Sequence, residues 1–433
     1  MQKILNIQLQ ILKYILRWDL IILPVAVGIG SMVALFLWLL NLAIHYRFAH
    51  PWLLYLLPLA GVSIHFLYKM YGSSAERGNN LIIDEIHEPG AGVPKRMAPL
   101  ILLTTVITHL FGGSAGREGT AVQIGGSIAN FFAGLFRMDL AQRQTLLTAG
   151  IAAGFGAVFG TPLTGTVFAM EVLTVGRIQY RAFFPCLIAA FLGDATVAAW
   201  HVHHTPYHID VINTAATYYS YHFWFDPVLL LKVMISSVLF GFASILFEKA
   251  THSIKQYSLK LIKTAWLIPV LGGCLIILLT LIIGKPDYLS LGVDAEYPGA
   301  VTIVSSFHQG GAHFFSWLWK LVYTAITLGT GFKGGEVTPL FYIGSTLGNT
   351  LAVLMDAPVS LFAALGFIAV FSGATKTPIA CTIMGMELFG PDHAVLFAVA
   401  CFIAYLCSGS NGIYSAQRKP GGKLSYLQSF RSK

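Results

Sequence analysis

Apolar residues run through this chain in long stretches, interrupted by glycine and proline more often than by charge. Stretches long enough to cross a bilayer cover roughly 19–45, 51–70, 226–248, 265–284 and 391–408. Others are too short or too glycine-rich to span: 98–112, 119–135, 146–159, 161–174, 338–354, 361–373 and 377–389. A helix that stops at membrane depth exposes backbone N–H and C=O groups, tolerated only under a cover of protein or in a water-filled cavity. Such segments in both halves predict an all-α polytopic membrane protein of the transporter kind, built on broken short helices.

The two halves are related. Shifted by 219 positions, Gly116 falls on Gly335, Ile124-Gly125 on Ile343-Gly344 and Asn130 on Asn349. Shifted by 216, Thr161-Pro162-Leu163, Thr166-Val167 and Met170-Glu171 fall on Thr377-Pro378-Ile379, Thr382-Ile383 and Met386-Glu387. Two blocks in one order with nearly one offset point to a duplicated unit. Inversion of the copies is the common arrangement in transporters, but identity alone carries no direction.

Composition narrows the class. Of 433 residues, 56% are hydrophobic and only 11% charged, against ~25% charged in an ordinary soluble domain. With a mean hydropathy of +0.70 this excludes a soluble globular protein. The net charge of +8 reads as topology. Lys3, Lys13 and Arg17 mark residues 1–17 as a cytoplasmic amphipathic helix, and Arg418, Lys419, Lys423, Arg431 and Lys433 make 418–433 a basic cytoplasmic tail. Between them, 18–417 is the transport domain, with halves of about 18–200 and 226–417. Both termini are expected on the cytoplasmic side of the inner (plasma) membrane. No basic patch with interleaved aromatics suggests a nucleic-acid partner. The five cysteines lack C-x-x-C spacing and read as buried thiols.

The candidate chemistry sits in two glycine-rich segments, 112–119 and 331–335, each opening a short apolar stretch. Glycine lets backbone approach a ligand, and a helix N-terminus offers free N–H donors and partial positive charge. Two such ends meeting at mid-membrane would hold an anion. The bland alternative is close helix packing, which leaves unexplained a glutamate in each segment, Glu118 and Glu336. No G-x-x-x-x-G-K-[ST] phosphate loop is present. An intramembrane carboxylate is a functional hypothesis by default. At a helix N-terminus, Glu118 could occupy the anion's own place and leave it on protonation, acting as gate and proton carrier. Its structural alternative, pairing with Arg117, is disfavoured for neighbours inside a helix; that of Glu336 is pairing with Lys333 at i−3. His201, His203, His204 and His208 read as an exposed loop rather than a metal site, and Asp84, Glu85, His87 and Glu88 as a solvated turn.

Gly-Gly-Ser-Ala-Gly-Arg-Glu-Gly-Thr (112–120), Ala-Val-Gln-Ile-Gly-Gly, Thr-Pro-Leu-Thr-Gly (161–165), Gly-Glu-Val-Thr-Pro (335–339) and Ile-Tyr-Ser-Ala (413–416) together resemble the CLC anion channel/transporter family, in order across roughly 20–416. The resemblance implies a homodimer with an anion pathway in each subunit. It makes Glu118 the external gating glutamate and places the Tyr414 hydroxyl at the central anion site. Departures from the usual family pattern point to one branch. Gly78-Asn79-Asn80-Leu81-Ile82 stands where Gly-Ser-Gly-Ile-Pro is usual, and Thr120 stands where proline is. Val172 replaces an internal proton-transfer glutamate, and Val337, preceded by Glu336, replaces an aromatic. This set is similar to the CLC-F branch of bacterial fluoride/proton antiporters. Fluoride is small, strongly hydrated and a strong hydrogen-bond acceptor, and an Asn amide gives two N–H donors where a Ser hydroxyl gives one.

The expected function is therefore secondary-active export of fluoride coupled to protons, with no cofactor, metal or enzymatic chemistry. Glu118 and Glu336 are the gating and proton-transfer residues. The anion-binding set is Asn79, Asn80, Gly116, Arg117, Gly119, Val337, Thr338 and Tyr414. Partners are fluoride (or chloride), protons, the lipid bilayer and a second copy of the chain. The rival readings are a chloride/proton exchanger and a passive anion channel. A hydrolase would need a paired Ser/His or metal-ligand motif on spanning segments, and none is present.

Overall fold

A computed structural model describes residues 2–209 and 227–419. The first half comprises α1 (Gln2–Ala49), α2 (Leu57–Leu67), α3 (Asn79–His87), α4 (Met97–Leu110), α5 (Glu118–Leu135), α6 (Leu140–Phe159), α7 (Pro162–Glu171) and α8 (Phe183–Ala199). The second comprises α9 (Pro227–Leu261), α10 (Leu267–Ile283), α11 (Ser316–Gly329), α12 (Val337–Met355), α13 (Val359–Thr375), α14 (Pro378–Phe389) and α15 (Ala394–Cys407). The described residues form no β-strand, only isolated bridges. The all-α membrane architecture read from the apolar pattern is thus the one observed.

The short segments end where the sequence breaks them. Pro162 and Pro378 open α7 and α14 at a first-turn position, where proline's missing N–H is not needed. Gly160 (φ 70°) closes α6 in the left-handed conformation that glycine adopts without strain. Its counterpart Lys376 (φ 64°) closes α13 in the same way without being glycine, its ammonium bound to the Ser408 carbonyl and hydroxyl at 2.7 Å each. At the other end of the chain, α1 is continuous from Gln2 to Ala49, so the segment read as a separate surface helix is the start of this long one. The basic tail beyond Lys419 lies outside the described residues.

The copies are inverted. Gly116 and Gly335 pair as an antiparallel bridge, each N–H donating to the other's carbonyl at 2.6 and 2.7 Å. The equivalent helices α7 and α14 run antiparallel and cap each other. Glu171, ending α7, accepts from the backbone N–H groups of Ile379 (3.1 Å) and Ala380 (2.8 Å) at the start of α14. Glu387, near the end of α14, accepts from the N–H groups of Leu163 (2.9 Å) and Thr164 (2.7 Å) and from the Thr164 hydroxyl (2.6 Å). Each carboxylate meets the orphan donors and positive end of the other copy's helix. Glu387→Ala strands three donors and should lower stability by about 2–3 kcal/mol, read as a lower melting temperature of the purified protein. An unchanged melting temperature would show that the clasp contributes nothing.

Close packing of small residues is likewise duplicated. An added Cβ at Gly125 would lie 2.1 Å from the Gly150 carbonyl oxygen, and one at Gly344 would lie 2.1 Å from that of Gly366. These glycines serve helix packing, and the pairs α5–α6 and α12–α13 depend on it. Aromatic rings fill the seam between halves: Phe159 meets Phe341 at 5.3 Å and Phe155 meets Phe371 at 6.2 Å between centroids.

Candidate anion and proton site

The Gly116–Gly335 bridge brings the N-termini of α5 and α12 together. Both are entered by matching backbone: Arg117 (φ −112°, ψ −21°) precedes α5 and Glu336 (φ −101°, ψ −15°) precedes α12. Arg117 is thus the structural counterpart of Glu336, and Glu118 that of Val337, which explains why the glutamates fall one position out of register. Glycine is required here because the backbones touch. A Cβ on Gly335 would lie 2.8 Å from the Gly119 nitrogen, and one on Gly119 would lie 3.1 Å from the Gly335 Cα.

Glu118 is 1% exposed, and its carboxylate is seated on the other half's helix. One oxygen accepts from the backbone N–H of Thr338 (3.0 Å) and that of Arg117 (3.1 Å), and the other from the Thr338 hydroxyl. These are the donors that an anion would use at the start of α12. The Arg117 Nε lies 3.7 Å from the same carboxylate. The contact disfavoured for helix neighbours forms because Arg117 stands outside the helix. The buried carboxylate is held by backbone donors and one hydroxyl, with no cation in closer contact, and protonation would remove its claim on those donors.

Asn79 opens α3 behind Gly78 (φ 56°), and its Nδ2 would lie 3.1 Å from a Cβ on Gly119. Its amide therefore faces the same convergence, and its Oδ1 is buried with no protein partner. Asn80 does something else. Its Oδ1 accepts from the Ala416 N–H at 3.0 Å, tying the start of α3 to the segment that carries Tyr414. Tyr414 is 6% exposed, within electrostatic reach of both Glu118 and Glu336. Val337 is buried at the first position of α12. The Glu336 side chain makes no hydrogen bond or ion pair in the described structure, and Lys255 of α9 acts on it electrostatically. The alternative pairing with Lys333 is not formed: the Lys333 Nζ lies over the Tyr68 ring, 4.2 Å from its centroid.

One cluster departs from the sequence reading and one largely follows it. The acidic run after the Asn pair is helical, and Glu85 in it is 5% exposed, accepting from Gly90 and Gly92 N–H at 2.9 Å each. It is a structural anchor and no solvated turn. Of the histidines, His201, His203 and His208 are exposed, as read, while His204 is half-buried, packing against Gly160 3.8 Å from Asp194.

Residues not singled out from sequence brace the site. His109, fully buried, sets its ring nitrogens against the carbonyls of Thr105 (2.8 Å) and Ala115 (3.0 Å). Ser114 reaches Thr324 (2.9 Å) and Thr327 (3.1 Å) of α11. Only the position of His109 inside an apolar stretch could have flagged it.

Residues 60–409 match the family described as voltage gated chloride channel. The chain belongs to the CLC family. Its members are ion channels or transporters, not enzymes, and are integral membrane proteins of many spans. Over 95% of this chain and 88% of the relative, it is 46% identical to a chloride/fluoride channel protein of Pseudomonas syringae pv. tomato. Among solved structures, it resembles a CLC-type fluoride/proton antiporter with a TM-score of 0.86 at 33% identity, covering 93% of this chain and 98% of that one. A slow cyanobacterial Cl−/H+ antiporter shares the fold, with a TM-score of 0.77 at 18% identity, over 96% and 98% of the two chains. Both the family and the CLC-F likeness read from the motifs therefore hold.

Proposed function

We propose that this CLC protein is a fluoride/proton antiporter that exports fluoride, working as a homodimer in the plasma membrane with both termini cytoplasmic. The observation that carries the reading is the Glu118 carboxylate on the N-terminus of α12, where a transported anion would displace it. Protonated at Glu118, the site is vacated for the anion; deprotonated, it is refilled by the carboxylate. Anion and proton thereby move in alternation. Arg117, Gly116 and Gly119 shape the close approach, Thr338 supplies donors, and Tyr414 and Val337 close the inner side. Glu336 takes the place of the missing internal glutamate at Val172. Substrate choice rests on Asn79, whose amide replaces the usual serine, while Asn80 holds its neighbour in position. The likeness to a CLC-type fluoride/proton antiporter supports this reading over chloride exchange, and the chloride/fluoride channel protein of Pseudomonas is compatible with it.

The test is anion preference in liposomes. Wild-type protein should release fluoride well ahead of chloride, and Asn79→Ser should shift that ratio toward chloride. Losing one donor to a buried anion forfeits ~1–3 kcal/mol, a several-fold to hundredfold change. Chloride leaving as fast as fluoride from wild-type liposomes would overturn the substrate assignment. An unchanged ratio in Asn79→Ser would move the filter to Thr338 and Tyr414.

A further inference from the structure

Lys320, Lys333 and Lys376 are buried or half-buried, and two of them have their donors taken. The Lys320 ammonium donates to the carbonyls of Ser290 (2.7 Å), Tyr288 (3.2 Å) and Leu289 (3.4 Å). That of Lys376 donates to Ser408. Lys333 alone among the three has no hydrogen-bond acceptor and no carboxylate partner in the described structure. It rests one face on the Tyr68 ring and lines a cavity of about 190 Å³ with His65, Glu76 and Lys255. An aromatic face steadies an ammonium but does not take its N–H groups. A positive group withdrawn from bulk water is costly; Glu76, the one carboxylate on this cavity, acts on it through space without an ion pair, and the cavity has room for an ion with several waters.

The cavity is walled by the chain segments that immediately precede two of the site's helices. Tyr68 and Glu76 lie on the segment that runs on to Asn79, and Leu328 to Lys333 on the one that runs on to Glu336. Lys255 bears electrostatically on both Lys333 and Glu336. Two ammoniums against one carboxylate leave the cavity net positive. Lys255 and Leu259 of α9 line it, on the C-terminal part of the helix that also carries Lys249 and Lys260.

We propose that this cavity is an antechamber for a small hydrated anion, with Lys333 as the residue that collects it before it passes to Asn79 and Glu336. The proposal rests on the transport reading above and takes fluoride as its ligand. Lys333 binds through charge and N–H donors at the pathway entrance, so its loss weakens capture and leaves the steps at Glu118 alone.

The experiment is fluoride efflux from liposomes holding the full-length protein, measured against fluoride concentration for wild type, Lys333→Met and Lys333→Arg. In Lys333→Met the half-saturating concentration should rise ~3–10-fold with the maximal rate kept within about twofold. Lys333→Arg, which retains the charge, should stay near wild type. Raising ionic strength should weaken wild-type capture and leave Lys333→Met nearly unaffected. A role confined to packing on Tyr68 would instead lower the melting temperature of Lys333→Met with half-saturation unmoved, and that result overturns the proposal. If Lys333→Met does not fold, Lys255→Gln at the exposed rim serves, with a smaller rise expected and none overturning the assignment. Should wild type carry chloride and no fluoride, the fluoride reading fails. The same series run with chloride then still decides the antechamber.

Discussion

Glu118→Gln abolishes proton movement coupled to fluoride. The amide keeps the size of the carboxylate but cannot titrate, and it presents an N–H toward donors that now hold a carboxylate: Thr338 N–H at 3.0 Å and Arg117 N–H at 3.1 Å. It therefore mimics the protonated, released state permanently. Proton uptake driven by a fluoride gradient should fall by ~10²-fold or more, the scale of a lost proton-transfer group. Fluoride turnover should be slowed with it, because the alternation of carboxylate and anion is broken. The readout is external pH beside a fluoride electrode. Glu118→Gln liposomes that still pump protons uphill would remove Glu118 from the cycle.

Glu336→Gln should leave the fold intact and stop coupled flux. The carboxylate of Glu336 makes no hydrogen bond or ion pair, so the amide breaks no contact, and the melting temperature should stay within ~2 °C of wild type. What is lost is titration at the entry to α12, beside Tyr414 and within reach of Lys255. Coupled transport should drop by at least about tenfold. The double variant Glu336→Gln/Lys333→Met discriminates roles. Were the two side chains a buried pair, removing both would restore what removing one destroys. With Lys333 seated over Tyr68 instead, the second change should rescue nothing. Recovered coupling in the double variant would make Glu336 a structural residue.

Much of this organisation was legible because membrane depth punishes loose backbone, so glycine and proline mark helix ends sharply. The stretches 119–135, 338–354 and 377–389 fall within one or two residues of α5, α12 and α14. The helices that escaped notice carry polar groups inside apolar runs. In α11, Lys320 breaks the pattern, although three carbonyls satisfy its ammonium inside the fold. In α8, Asp194 does the same, beside His204. The acidic run at 84–88 misled for a related reason: nothing local announces that Gly90 and Gly92 will fold back onto Glu85. At the site itself, Glu118 was legible because an ionisable group at a broken helix has few other uses, and Asn79 only through the family resemblance, as the residue standing where serine is usual. Direction was not legible. The two matching blocks gave the duplication, but it takes the antiparallel Gly116–Gly335 bridge and the exchange of Glu171 and Glu387 between α7 and α14 to reveal that the copies are antiparallel.

The central claim is that one site alternates between fluoride and the Glu118 carboxylate, so that each fluoride leaving is tied to proton entry. Its most direct test loads liposomes containing the purified protein with fluoride, at equal pH on both sides and with membrane potential clamped. Fluoride running out should drive protons in against the gradient it builds, making the outside alkaline in step with the fluoride signal. Fluoride efflux with no change in external pH would describe a passive channel and contradict the account.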